Sequence, residues 1–207
     1  MTVRTIGIVD VMYTKHGTGL PTTDRKQMHK VVSTCPYYRK WNSMLTRCYS
    51  STYKLKYPTY QGCCVCDSWL LLSNFILWVD AQPNTTWIYC HLDKDLLGDG
   101  ITYNPKNCCF ITKELNLFLT DNKRCRGEYM LGVNLDKESN KFRARCSNPF
   151  TKRSTYLGRF TSELEAHKAW QAKKHEYACQ LADLQEDPRV AEALRQRYAP
   201  DKDWTNN

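Results

Sequence analysis

No run of about 18 apolar residues exists in this chain, which argues against a membrane-spanning helix of ordinary length. The longest apolar patch, residues 69–72 with 75–79, is interrupted by Ser73 and Asn74 and reads as core. The first residues lack the charged and apolar pattern of a signal peptide. With a mean hydropathy of −0.62, these absences lead to the expectation of a soluble, cytoplasmic protein without a membrane partner, in the host cell if its source is viral. Paired C-x-x-C knuckles are also missing, although the chain has 11 cysteines. The Cys63-Cys64-Val65-Cys66 run has the wrong spacing for a standard zinc knuckle. In an unsecreted chain such cysteines are read as thiols or metal ligands rather than disulfides. A structural zinc held by Cys48, one of Cys63 to Cys66, and Cys90 or Cys108 is conceivable; buried free thiols are the simpler state. Acidic residues are comparatively scarce: 21 Asp and Glu face 30 Lys and Arg, a net charge of +9. That balance favours a polyanionic partner, most often nucleic acid.

What the chain does contain is enough apolar material to fold. At 207 residues and 42% hydrophobic content it can hold one large domain or two small ones. Residues 1–34 turn polar and basic after a short apolar piece and read as an N-terminal arm, with His16 and His29 solvated. Over residues 37–48, Trp41, Met44, Leu45 and Cys48 recur at helical spacing, while Arg39, Lys40 and Arg47 take other positions. A loop rich in Tyr and Lys is expected from Ser50 onward. A helix is expected over 68–79 and β-rich structure over 85–92. The basic stretch 120–127 reads as a linker and the domain boundary.

Beyond it, residues 130–135, 141–146 and 154–160 read as three strands. Ser162-x-x-Glu165 is a capping box opening a helix to about residue 184. Asp187-Pro188 opens a second helix to about 198, followed by a frayed tail. On the middle strand Phe142, Ala144 and Cys146 alternate with Lys141, Arg143 and Arg145. The apolar set packs on the helix and leaves the basic set exposed, where Tyr156 and Arg159 extend it. Such a face fits the DNA major groove, in which arginine bonds guanine edges in bidentate fashion. A merely solvated basic face is the plain alternative.

Gly132-Val133, Lys141-Phe142-Arg143-Ala144-Arg145, Tyr156-Leu157-Gly158-Arg159-Phe160 and Glu163-x-Glu165-Ala166 resemble the AP2/ERF DNA-binding domain over residues 127–177. The resemblance implies DNA contacts from Asn134, Arg143, Arg145, Ser147, Tyr156 and Arg159, and the alternation adds Lys141 to the DNA-binding set. Two positions depart from the family pattern: Arg145 stands where an acidic residue is usual, and Asp136 where an arginine is.

The central segment carries a second resemblance. Trp41-x-x-Met44-x-x-Arg47-Cys48, Val65-Cys66-x-x-Trp69, Leu92-Asp93-Lys94-Asp95, Tyr103-x-Pro105-x-Asn107-Cys108 and Asn116 resemble phage HNH-like nucleases of the ββα-metal class. The resemblance implies one divalent ion, Mg²⁺ or Mn²⁺, held by Asp93 and Asn116, with Asn107 orienting the base. Lys94 stands where the histidine base is expected, and lysine is an ammonium at neutral pH. His91, two residues from Asp93 on an extended strand, is a substitute base or ligand. The expected class is therefore α+β. It comprises a ββα-metal core at 35–120, an AP2-like sheet and helix at 127–184, and a C-terminal helix and tail at 185–207. Three functional readings follow: a metal-dependent DNA endonuclease, a catalytically inactive HNH-derived regulator that binds double-stranded DNA, or a phage defence or anti-defence protein that engages a host protein or RNA.

Overall fold

In the computed structural model, residues 35–120 and 128–202 are described. The expected arm, most of the expected linker and the end of the tail lie outside them. The chain mixes helices with short sheets, an α+β class, and divides into two compact units, the first ending at Ile111 and the second beginning at Thr112. The expected boundary lay about 15 residues further on.

In the first unit, helix α1 (Pro36–Tyr49) starts on a proline, whose fixed φ suits a first helical turn. Its Trp41, Met44, Leu45 and Cys48 lie at i, i+3, i+4 and i+7 and are all buried. Burying a side chain of this size contributes about 1.5–3 kcal/mol. The Trp41 indole nitrogen also donates to the Trp69 carbonyl at 2.6 Å. The stretch after Ser50 is not a loop. Helix α2 (Ser51–Lys56) forms there because the Ser50 hydroxyl accepts from the Tyr53 amide and satisfies a first-turn donor.

The single helix expected over 68–79 is broken at Leu71, which is extended. A short 3₁₀ turn (Asp67–Leu70) precedes the break, and helix α3 (Leu72–Asp80) follows it. Trp87–Tyr89 is likewise a 3₁₀ turn rather than a strand. Strands β1 (Cys64–Val65) and β3 (Thr102–Tyr103) pair in parallel. Strands β2 (His91–Asp93) and β4 (Cys109–Ile111) pair antiparallel, with Asp93 opposite Cys109.

The second unit opens with helix α4 (Lys113–Leu119), capped by the Thr112 hydroxyl accepting from the Leu115 amide. Three antiparallel strands follow in the order β5 (Val133–Asp136), β6 (Lys141–Ser147) and β7 (Ser154–Phe160). Helices α5 (Glu163–Ala182) and α6 (Pro188–Arg197) complete the unit. Asp187 caps α6 as expected, accepting from the Arg189 amide at 2.9 Å. The capping box at α5 does not close. Ser162 is the cap residue, but its hydroxyl makes no cap bond, and the Glu163 carboxylate instead accepts from the Met130 amide.

Helix α5 covers one face of the sheet. Val133, Ala144 and Ala166 form its buried centre, with Phe142, Leu157 and Phe160 packed around them. Gly132 is the closest approach: a Cβ there would stand 2.0 Å from the Trp170 ring, and φ is +76°. Helix α4 belongs to this unit because Lys174 of α5 donates to the Phe118 carbonyl at 2.7 Å and sits 3.5 Å from that ring's centre. Phe118 also meets Tyr198 edge-to-face at 5.8 Å.

Candidate functional site

Most of the residues singled out for chemistry fall in β2 or the loop after it, or on the open face of the β5–β7 sheet. In the loop, every charge is tied to its own neighbourhood. Asp93 is buried, and its two carboxylate oxygens accept from the Asp95 amide at 3.2 Å and the Leu96 amide at 3.1 Å. Burial pushes its carboxyl above the ordinary aspartate range, and the Asp95 charge adds to the shift. Lys94 is 4% exposed. Its ammonium donates to the Asp95 carboxylate at 2.7 Å and to the Gly100 carbonyl, and lies over the Tyr60 and Tyr103 rings. Although burial works against its charge, the bond and charge of Asp95 hold its pKa above the usual lysine value. It is a clamp across the loop and stays protonated at neutral pH.

Asn107 also clamps the loop. Its side-chain amide donates to the Thr102 carbonyl at 3.3 Å and to Asp99 at 3.4 Å, while Asp99 accepts from the Ile101 and Thr102 amides at 2.8 Å. Asn116 lies within α4 of the second unit, whereas Asp93 lies in the first. His91 is exposed on β2 and faces a hollow whose lining does not include Asp93.

Among the described residues, no group of three or more His, Cys, Asp or Glu side chains could hold a metal. Each oxygen of Asp93 accepts one amide hydrogen bond, and the neighbouring Lys94 is a fixed ammonium. Of the cysteines named as zinc candidates, Cys48, Cys63, Cys90 and Cys108 are buried. Burial pushes the Cys48 thiol up to about 12 and raises Cys108 as well.

The sheet presents the opposite arrangement. Ala144 and Cys146 are buried, while Lys141 and Arg145 are exposed and Arg143 is half-buried. Asn134, Arg143 and Arg159 stand opposite one another across the three strands. Tyr156 and Arg159 are three residues apart, which on a regular strand would put them on opposite faces. A bulge resolves this: the register shifts between Ala144 and Arg145, so Tyr156 rather than Leu157 faces Arg145. Gly158 carries the bend with φ +133°, and Leu157 packs into the core. The bulge therefore puts Asn134, Arg143, Arg145, Tyr156 and Arg159 on one face, the face opposite the helix.

One acid sits among these cations. Asp136 pairs with Arg159 at 2.8 Å. Burial alone would raise its carboxyl, but a Ser139 hydrogen bond and the Arg159 and Arg143 charges hold it below the usual range. Sequence reading noticed Asp136 as an oddity without seeing its role, because the pairing depends on strand register. Arg145, exposed, and Tyr156, 53% exposed, remain available to a partner. The Nε of Arg143 is buried without a hydrogen-bond partner.

No protein-family model matches the chain, and no curated protein and no solved structure matches it. Functional reading therefore rests on geometry. No described helix is long and apolar enough to cross a membrane.

Proposed function

We propose that this chain binds double-stranded DNA through the outward face of β5–β7, with the HNH-like first unit acting as a folded scaffold rather than a nuclease. The observation that carries the reading is the bulge, which brings Arg145 and Tyr156 into line with Arg143, Arg159 and Asn134 on the uncovered face. β-Strands can lie in the major groove, where arginine bonds guanine O6 and N7. A net charge of +9 supplies general attraction to the phosphates. The three-stranded sheet backed by one helix supports the AP2-like resemblance of this segment.

Lys94 favours the scaffold reading over the nuclease. A general base must release its proton near neutral pH, and this ammonium is buried on a carboxylate and a carbonyl that favour the charged form. Two assays test the reading. Duplex DNA should bind with an affinity that falls linearly in log–log form with salt, with a slope near 0.9 per phosphate contacted. Incubation of supercoiled DNA with Mg²⁺ or Mn²⁺ should leave it uncut. Cleavage abolished by Asp93→Ala would instead establish the endonuclease.

A further inference from the structure

A hollow of about 300 Å³ in the first unit is lined by Arg39, Lys40, Ser43 and Arg47 of α1, with His91 and Leu92 of β2 beside them. Among the described residues, no carboxylate lines it. We propose that this hollow is an anion site whose ligand is a phosphate group, either of a free phosphomonoester or of a nucleic-acid backbone.

The cations are gathered by helical spacing. Residues 39 or 40, 43 and 47 recur every three to four positions, opposite the Trp41–Met44–Cys48 stripe that fills the core. Two of the three cations are held in place. The Lys40 ammonium donates to the Cys90 carbonyl. The Arg47 guanidinium donates to the Tyr103 hydroxyl at 3.2 Å and the Ser43 hydroxyl at 3.3 Å. Arg39 is exposed at the rim.

Crowding like charges around one hollow is unfavourable without an anion. Burial is the main cause that pulls the Lys40 ammonium below the usual range; Cys90 acts the other way, and the Arg47 and Arg39 charges add smaller pulls downward. A phosphate carries up to two charges and several acceptor oxygens, which suits a fixed guanidinium, an ammonium and a hydroxyl. The volume is at the lower end for small-ligand sites, enough for a phosphate and part of what it is attached to. All these residues belong to the first unit, so the site stands whether or not the sheet of the second unit binds DNA.

The full chain carrying Arg143→Ala and Arg145→Ala, which disables the sheet face, is titrated calorimetrically with thymidine monophosphate and with a short duplex. Each titration is repeated with Arg39→Glu or Arg39→Lys added. Arg39 is exposed, so neither change threatens the fold. At least one probe should bind, Arg39→Glu should weaken it about tenfold, and Arg39→Lys should retain most of the affinity. Binding of the monophosphate marks a free phosphomonoester as the source, and binding of the duplex alone marks the backbone. Absence of binding by both probes, or equal binding by Arg39→Glu, overturns the site.

Discussion

The loop after β2 and the face of the β5–β7 sheet are both rich in charge, and they use it in opposite ways. In the loop, Asp93, Lys94, Asp99 and Asn107 direct their polar atoms at nearby backbone and at one another. On the sheet, among the described residues, Arg159 alone forms an ion pair with an acid, and Arg145 and Lys141 are exposed. A motif that resembles a catalytic centre can thus be spent on holding its own loop. A plain alternating strand can leave its charge for a partner. What separates the two is whether the donors are already satisfied.

The largest expected effect bears on the sheet's support. Gly132→Ala places a methyl into the Trp170 ring at a positive φ and should destabilise the second unit by about 3 kcal/mol. Urea denaturation followed by residue-resolved NMR would show the loss confined to that unit. Next comes the loop. Lys94→Met keeps the volume but removes the buried ammonium that bridges the Gly100 carbonyl and the Asp95 carboxylate, and should cost about 1–3 kcal/mol of stability in the first unit. Stability unchanged in Lys94→Met would mean the clamp is decorative. A smaller effect is expected at Asp136. Asp136→Asn releases Arg159 and removes the acid from the basic face, so duplex affinity should rise about two- to fivefold, as anisotropy would show.

The weakest effect is the response to acid, and it should differ between the units. Asp136 and Asp187 both have depressed carboxyl pKa values, so the stability they supply is present above the ordinary aspartate range and lost as pH falls through their folded values. Asp93 is raised, so its protonation on acidification stabilises the first unit, against the depressed Asp99 in the same loop. Below about pH 4 the second unit should therefore weaken more than the first, as NMR-monitored urea titrations at successive pH values would show.

Much of the scaffold is legible in the residues themselves. The Trp41–Met44–Leu45–Cys48 stripe specifies α1, the alternation along β6 specifies which face is basic, and Asp187-Pro188 starts α6. What is not legible depends on contacts distant in sequence or on unpunctuated breaks. Nothing in Trp69-Leu70-Leu71-Leu72 signals an extended residue at 71. The attachment of α4 to the second unit is made by Lys174, 56 positions from Phe118. Lys94 stands at the base position of the resemblance, and only the fold shows its ammonium bonded to Gly100 and Asp95. The hollow beside α1 had a signal, the spacing of Arg39, Lys40 and Arg47, but only the fold adds His91 to it.

The most direct measurement pairs stability with duplex affinity in two variants, Lys94→Met and Arg143→Ala/Arg145→Ala. Lys94→Met should lower the first unit's stability and leave anisotropy-measured DNA affinity unchanged. The arginine pair should leave stability unchanged and weaken binding by about 1–3 kcal/mol per residue, as expected when each reaches a base. Full affinity in the arginine double variant would contradict binding through the sheet.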